Sequence, residues 1–366
     1  MNILIAPDSF KGTYSAKEIA NFIEEGILKT QPNAKVTKIP IADGGEGSID
    51  AISDIAQIKN FEVSGPLNKK VNANIAILKD TAVIEMAQCA GLSLIKQSER
   101  NPMLTSTYGL GELIINALDL NIRKFIICIG GSCTNDCGAG MANALGVKFF
   151  DKHNNLIQNL NGGSLKDISS LDLSNLDKRI KDSEFMVACD VKNPLYGKDG
   201  AAYVYAKQKG ATDKQIELLD QYSKNFSNLI KDQLGIDINY SGCGAAGGLG
   251  GGLVAFTNAK LTSGIQLFID LTKLEQHLKE TDLIITGEGC LDSQTLTGKV
   301  AMGISILAKE YNKKIIAVCG KIIKNPNIFD EIVNVSDNND NNIPKTRELI
   351  IKKVSELINK LHLEVN

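Results

Sequence analysis

The sequence predicts an α/β fold with a mainly parallel sheet, broken by a segment of different architecture. Short apolar strand-forming runs recur, each followed by a polar or glycine-rich loop and then by apolar residues at helical spacing. Strands that alternate with helices need crossover connections, which make a parallel sheet. One stretch, residues 61–88, departs from this rhythm: its β-rich runs leave no room for helices between them. Finally, 366 residues exceed one ordinary core and predict two domains, or one domain with a large insert.

The elements follow in order. "NILIA" (2–6) is an apolar strand and "PDSFKGTY" a loop. "SAKEIANFIEEGILKT" then carries Ile19, Phe22, Ile23 and Ile27 at helical spacing, with Ser15 and Glu18 as a capping box. "KVTKIPI" reads as a strand, "ADGGEG" as a loop and "SIDAISDIA" as a helix. "FEVSGPLNKKVNANIAILKDTAVIEMAQ" (61–88) reads as an antiparallel meander, and a domain boundary is placed near residue 60. "KFIICIG" leads into "GGSCTNDCGAG" (130–140) and the helix "AGMANALG". "EFMVAC" leads into "DVKNPLYGKDGA", "TDLIIT" into "GEGCLDSQTLTG" and the helix "KVAMGISILAKEY", and "KKIIAVC" into "GKIIKNP". Each of these loops lies at a strand's carboxyl end, where ligands bind in such sheets. "SDNNDNN" (336–342) is a polar loop, and Pro344 opens a last helix with Ile350, Val354, Leu357, Ile358 and Leu361 on one face.

Composition excludes several classes. Hydrophobic content of 43% and charged content of 22% are those of a soluble globular protein. Forty basic against 42 acidic residues, with no tryptophan, give no basic or stacking surface for nucleic acid. The N-terminal apolar run stops at Pro7 and Asp8, too short for a secretory signal, and no stretch is long enough to span a bilayer; a cytoplasmic protein is expected. Eight scattered cysteines read as small buried thiols rather than a disulfide framework. Cys133 and Cys137 have no second pair at zinc spacing, and His153, His277 and His362 neighbour no glycine-rich loop. A zinc site, a Cys–His pair and a Ser–His–Asp triad therefore lack a histidine, which phosphoryl transfer does not require.

Two glycine-rich stretches could hold anions. In "SGCGAAGGLGGG" (241–252), Gly242, Gly244 and Gly247 satisfy G-x-G-x-x-G, but no strong strand precedes Ser241. Asp270 falls at a suggestive distance, yet "FIDL" reads as a strand end, so a dehydrogenase is not favoured. Close packing is the alternative role for these glycines. "TLTGKV" (295–300) resembles the end of a Walker A motif but has Ser293 and Val300 where the motif needs glycine and Ser or Thr. Lys299 still follows a glycine at a helix start, where phosphate is favoured; a solvated lysine is the alternative.

Carboxylates mark the strand ends: Asp8, Asp43, Glu46, Asp136, Asp190, Glu288 and Asp292. Singly each could be a helix cap. Interleaved with Lys11, Lys192, Lys198, Lys299 and Lys321, they point to a site for Mg²⁺ and phosphate, since magnesium takes one or two carboxylates plus phosphate oxygens.

At this point the chain resembles the type 1 bacterial glycerate kinases. The resemblance rests on "APDSFKG" (6–12), "ADGGEG" (42–47), "NPMLTSTYGLGELI" (101–114), "GGSCTNDCGAG" (130–140), "CDVKNPLYGKDGA" (189–201), "GAAGGLG" (244–250) and "TGEGCLDSQTLTGK" (286–299), in order from residue 3 to about 320. It implies ATP- and Mg²⁺-dependent phosphorylation of D-glycerate, with 2-phosphoglycerate as product. It also implies two α/β domains with the active site between them: a discontinuous flavodoxin-like parallel-sheet domain (1–60 plus 275–366) and an inserted mixed α/β domain (61–274). Family members often carry alanine and glycine where this chain has Cys133 and Cys137, which speaks against a role for those thiols.

The expected catalytic residues are Asp190 and Lys11. The expected substrate and phosphate contacts are Asp8, Ser9, Lys11, Asp43, Gly44, Gly45, Ser132, Thr134, Asn135, Asp136, Gly247, Gly248 and Lys299. Asp190, Glu288 and Asp292 are the expected metal ligands, with base and ligand roles for Asp190 left open. The expected partners are small molecules, with neither nucleic acid nor membrane and with a homodimer as an open assembly state. A kinase of another small hydroxy acid, a 3-phosphoglycerate product and a non-catalytic binding protein stay as alternatives.

Overall fold

The computed structural model describes residues 1–292, 299–335 and 343–365. In chain order the elements are β1 (Asn2–Pro7), α1 (Ala16–Thr30), β2 (Lys35–Lys38), α2 (Ser48–Ala51), β3 (Gln57–Ser64), β4 (Lys70–Leu78), β5 (Thr81–Glu85) and α3 (Ala87–Ala90). Then come α4 (Tyr108–Asp119), β6 (Lys124–Cys128), α5 (Ala139–Ala144), β7 (Lys148–Phe150), β8 (Ser170–Asp172), β9 (Glu184–Ala188), α6 (Ala201–Tyr205) and α7 (Asp213–Leu234). The rest are α8 (Ala245–Thr257), β10 (Lys260–Thr262), α9 (Gly264–Thr272), α10 (Leu274–Leu278), β11 (Leu283–Leu291), α11 (Val300–Glu310), β12 (Lys314–Ile322), β13 (Glu331–Asn334) and α12 (Ile343–Val365).

Two compact units emerge: Met1–Asp43 with Asp50–Asp54 and Ser263–Asn366, and Gly44–Ile49 with Ile55–Thr262. The contact division thus places its second seam at Ser263, where the sequence reading placed it at 275.

The first unit holds a five-stranded sheet, β13-β12-β11-β1-β2, with every pairing parallel. Numbered along this unit alone, the order is 2-1-3-4-5, the flavodoxin-like arrangement. β1 is buried from Ile3 onward because helices cover both of its faces, as all-parallel sheets require. Ile3 and Ile5 pack with Ile19, Ile23 and Ile27 of α1 and with Ile350, Val354 and Ile358 of α12. Gly26 lets α1 and α12 cross closely: a Cβ there would lie 2.8 Å from the Ile351 carbonyl oxygen. The capping box at Ser15 and Glu18 forms as read.

The second unit holds a mixed sheet, β10-β9-β6-β5-β4-β3. β3, β4 and β5 make the antiparallel meander, and β5, β6, β9 and β10 run parallel. Short connections around "SGPLN" and "KD" permit only antiparallel pairing; the crossover helices restore parallel pairing beyond β5. The core includes a stacked Phe125–Phe185 pair, with ring centroids 4.4 Å apart, and a cluster of Phe149, Phe226 and Phe256.

Several readings need correction. Asp270 lies inside α9, not at a strand end, because Ile265, Leu267, Phe268 and Ile269 bury a helical face. Glu288 lies on β11, which pairs with β12 through Leu291, so "GEGCL" is strand rather than loop. The helix after "ADGGEG" is only Ser48–Ala51. The 22-residue α7, capped by Thr212 and Gln215, adds a long helix to the elements read from the sequence. Gly298, the rest of 293–298 and the polar loop 336–342 lie outside the described residues. Among those described, no helix is long and apolar enough to cross a membrane.

Candidate active site

The first unit's loops meet where its strand order reverses, between β1 and β11, the position where doubly wound sheets bind ligands. Asp8 follows β1, and its N–H donates to the Gly287 carbonyl of β11 at 2.9 Å. The carboxylate is 5% exposed and accepts the Ser9 N–H at 2.6 Å. Phe10 and Tyr14 exchange backbone bonds of 2.8 and 3.1 Å, which close a tight turn carrying Lys11, with Gly12 at φ +77°. From that turn the exposed Lys11 reaches Asp43 Oδ2 at 3.3 Å. Glu288, 5% exposed on β11, pairs with Lys299 at 2.8 Å. Lys299 is the N-cap residue of α11, and its ammonium, a donor that cannot cap the helix N–H groups, pairs with Glu288.

These charges govern one another. Burial, then repulsion from Asp43, holds the Asp8 carboxyl up to about 7, with a smaller push from Glu288 and partial relief from Lys11. Burial works against the Lys11 ammonium, yet Asp43, Asp8 and Glu288 outweigh it and keep its pKa above the ordinary value. Such competition marks functional sites more often than scaffolding.

The second unit gathers loops at the carboxyl ends of β5, β6 and β9. Segment 44–49 is stitched to all of them. Glu85, 3% exposed at the end of β5, accepts the N–H groups of Gly47 at 3.0 Å and Ile49 at 3.2 Å. Gly130 N–H donates to the Gly44 carbonyl at 3.2 Å. Gly44 has φ +82°, and a Cβ there would lie 2.3 Å from that of Ala188. No other residue fits so close an approach. Burial pushes the Glu85 carboxyl up, and its two backbone bonds hold it down only in part.

Loop 130–140 packs against the glycines of 244–252. Gly247 and Gly248 have φ of +70° and +88°, and a Cβ on Gly247 would lie 2.0 Å from the Thr134 carbonyl oxygen. Cys137 N–H donates to the Gly247 carbonyl at 3.1 Å. Ser132, Thr134 and Asn135 are all buried. Asp136, an expected phosphate contact, has its oxygens occupied by protein donors. It is fully buried and accepts from Thr107 N–H and Oγ1, both at 2.8 Å, and from the N–H groups of Gly138 at 3.2 Å and Gly140 at 3.3 Å. An anion spent on holding two segments together offers nothing to another anion. Burial also pushes the Cys133 and Cys137 thiols up to about 12, so neither supplies the thiolate that a nucleophile or metal ligand needs.

Asp190 lies just past β9, partly buried, beside Cys189, whose N–H donates to the Thr262 carbonyl at 2.8 Å. That bond ties the loop start to the end of β10. α7, not a strand, precedes the G-x-G-x-x-G stretch, and Asp270 is helical, so the dinucleotide reading has no support. Sequence reasoning missed Glu85 and Lys209. Glu85 had a signal, an acid closing the apolar run "AVIE"; Lys209, in "AKQKGA", had none.

Asp190, Glu288 and Asp292, the expected metal ligands, carry hard oxygen donors of the kind magnesium takes. Among the described residues no three His, Cys, Asp or Glu side chains form a metal-holding group. Magnesium needs only one or two carboxylates when phosphate and water complete its shell.

Fold and loops define a class: a two-unit α/β protein with charged and glycine-rich loops at its strand ends. Comparison with known proteins makes the class particular. The glycerate kinase family model matches residues 3–363, and the chain belongs to that family. A glycerate kinase of Halalkalibacterium halodurans is 46% identical over 87% of this chain and 85% of its own length. The glycerate 2-kinase of Escherichia coli K12 is 45% identical over 88% and 86%. A solved crystal structure assigned to glycerate kinase 2 of Salmonella typhimurium LT2 superposes with a TM-score of 0.90 at 40% identity, covering 100% of this chain and 99% of that one.

Proposed function

We propose that the chain is an ATP-dependent kinase that transfers a phosphoryl group to the 2-hydroxyl of D-glycerate, releasing 2-phosphoglycerate and ADP. The observation that carries this reading is the cluster of Asp8, Lys11, Asp43, Glu288 and Lys299 at the first unit's switch point. Family membership supports a phosphotransferase, and the E. coli relative's name supports the 2-position. The two compact units are proposed as the two domains of the kinase.

Phosphoryl transfer asks a protein mainly for positioning and charge neutralisation. Lys11 and Lys299, each already paired with a carboxylate, turn ammonium N–H groups toward phosphate or carboxylate oxygens of the ligand. Asp190 accepts the proton of the glycerate hydroxyl as its oxygen bonds to phosphorus and the bond to the ADP oxygen breaks, or else helps to hold the metal. Magnesium bound by Glu288, Asp292 or Asp190 would neutralise charge on the transferring group. Ser9, Gly44, Gly45, Ser132, Thr134, Asn135, Gly247 and Gly248 shape the anion-binding loops, through backbone N–H groups where the residue is glycine.

The test is ADP release by purified protein with Mg-ATP and D-glycerate. ADP production indifferent to glycerate would sink the reading, as would activity that survives chelation of Mg²⁺. Enolase and pyruvate kinase convert 2-phosphoglycerate to pyruvate directly; pyruvate that appears only after phosphoglycerate mutase is added would mean the 3-phosphate. Other small hydroxy acids in the same assay test substrate choice. Thermal stabilisation by each ligand without ADP release would favour a non-catalytic binder.

A further inference from the structure

The loop after β6 rests on a buried charge that the mechanism above does not use. Lys209 ends a short 3₁₀ turn, Lys207–Lys209, closed by Gly210 at φ +93°. It is 2% exposed. Its ammonium donates to Ser132 Oγ at 2.8 Å and to the Thr134 carbonyl at 2.7 Å. Among the described residues it forms no ion pair. Asp136 is the nearby carboxylate, and its bonds go to Thr107, Gly138 and Gly140.

A cation taken out of water without a partnered anion is costly, and a methionine would fill the same space at less expense. Burial indeed lowers the Lys209 pKa to about 8, against smaller upward pulls from Cys133 and Asp136. Ser132 accepts from the ammonium, so the hydrogen of its own hydroxyl must point elsewhere. It meets no acceptor among the described residues, and a hydroxyl that accepts a charged hydrogen bond is the stronger donor for it. In the same loop, Thr134 Oγ1 and both amide atoms of Asn135 are buried and find no partner among the described residues. Buried polar groups are rarely left in that state.

We propose that Lys209 is a positioning residue that sets the Ser132 hydroxyl as a donor and makes loop 132–135 a seat for one anionic oxygen of a ligand. That oxygen belongs either to the carboxylate of the hydroxy acid or to a phosphate of the nucleotide. Only this choice of ligand rests on the kinase reading.

The experiment is calorimetric titration of the full chain with D-glycerate, with the magnesium complex of AMP-PNP and with inorganic phosphate, for wild type, Lys209→Met, Ser132→Ala and the double variant. One arm should lose about tenfold or more in affinity in Lys209→Met, the cost of one charge-assisted hydrogen bond. Ser132→Ala should lose a similar factor in the same arm, and the double variant no more than the worse single, because the two residues act in series. A glycerate-only loss assigns the carboxylate; a loss with AMP-PNP and inorganic phosphate assigns phosphate. Affinities within twofold of wild type in every arm overturn the proposal, as do losses that multiply in the double variant. A purely structural Lys209 would lower the melting temperature yet leave affinity per folded molecule unchanged. If Lys209→Met fails to fold, Ser132→Ala decides alone: an unchanged affinity overturns the proposal and a tenfold loss in one arm supports it. Wild type that binds these anions but releases no ADP sinks the kinase reading only.

Discussion

The two units of this chain place polar loops at the same kind of position and fill them with different chemistry. The first unit ends its strands in charged side chains, exposed Lys11 on Asp43 and partly buried Lys299 on Glu288. The second ends its strands in glycines and buried acceptors: Glu85 and Asp136 turn inward to hold backbone N–H groups. In the first unit, the charges pair side chain to side chain. In the second, they are spent on shaping backbone. The identity of a side chain does not tell these uses apart; its partners do.

Asp190 breaks the pattern, as a second-unit carboxylate proposed to act on substrate, and it carries the largest expected effect. Asp190→Asn should lose turnover by about 10²-fold or more, as removal of a general base does, with the melting temperature nearly unchanged. Near-normal turnover would return Asp190 to a turn-forming role like that of Asp136. In the first unit, Lys11→Met and Lys299→Met should each lower kcat/KM by about 10- to 100-fold, the worth of one charge-assisted contact. Lys11→Met should fold as wild type, because an exposed pair such as Lys11–Asp43 contributes little to stability, whereas Lys299→Met should also lower the melting temperature by removing the cation paired with the buried Glu288. Steady-state kinetics beside thermal melts separate the two outcomes, and full activity in either variant makes that lysine a solvated surface residue.

Asp8 sharpens the comparison through pH. Its carboxyl is held up to about 7 against an ordinary 3.8. The folded chain therefore keeps a proton that the unfolded chain gives up, so stability is greatest below the unfolded pKa and falls as pH rises toward the folded one. The slope it contributes is at most about 1.4 kcal/mol per pH unit. Asp8→Asn should remove that decline, seen as the difference between wild-type and variant urea unfolding at about pH 4, 5.5 and 7.5. Parallel profiles would mean that the crowding of Asp8, Asp43 and Glu288 is relieved in solution. In the second unit, Asp136→Asn should cost about 1–3 kcal/mol by placing an N–H₂ group against donors from Thr107, Gly138 or Gly140. A variant as stable as wild type would show that the four bonds are dispensable.

Much of the first unit was legible because its signals are local. Strand, loop and helix alternate, and acids and lysines stand at strand ends. The flavodoxin-like order came from resemblance, and the sheet pairings bear it out. The pattern "GEGC" reads as a loop at Glu288, yet pairing with β12 keeps it in the strand, an effect that no local pattern reveals. In the second unit, the glycines could be seen to matter, but not which close approach each one serves. Lys209 was invisible for the same reason: a lysine in a polar stretch reads as surface until Ser132 and Thr134, over seventy residues away, are brought onto it.

The smallest expected effect lies within the second unit's glycine turn. Ala246, Gly247 and Gly248 are successive left-handed residues, with φ of +54°, +70° and +88°. Gly247 has no freedom to change, since a Cβ there meets the Thr134 carbonyl oxygen at 2.0 Å. Ala246 is different: it already carries a Cβ in that conformation and is only partly buried. A left-handed alanine costs about 1–2 kcal/mol relative to its preferred backbone. Glycine removes that cost but gives back about 0.5–1 kcal/mol of unfolded-state entropy and a methyl contact. Ala246→Gly should therefore shift stability by less than about 1 kcal/mol, in the stabilising direction. Ligand affinity should stay the same, because the backbone path is already the one glycine prefers. Denaturant midpoints and a glycerate titration check both parts. Destabilisation beyond about 1 kcal/mol would show that the methyl group's packing, not backbone strain, governs this position.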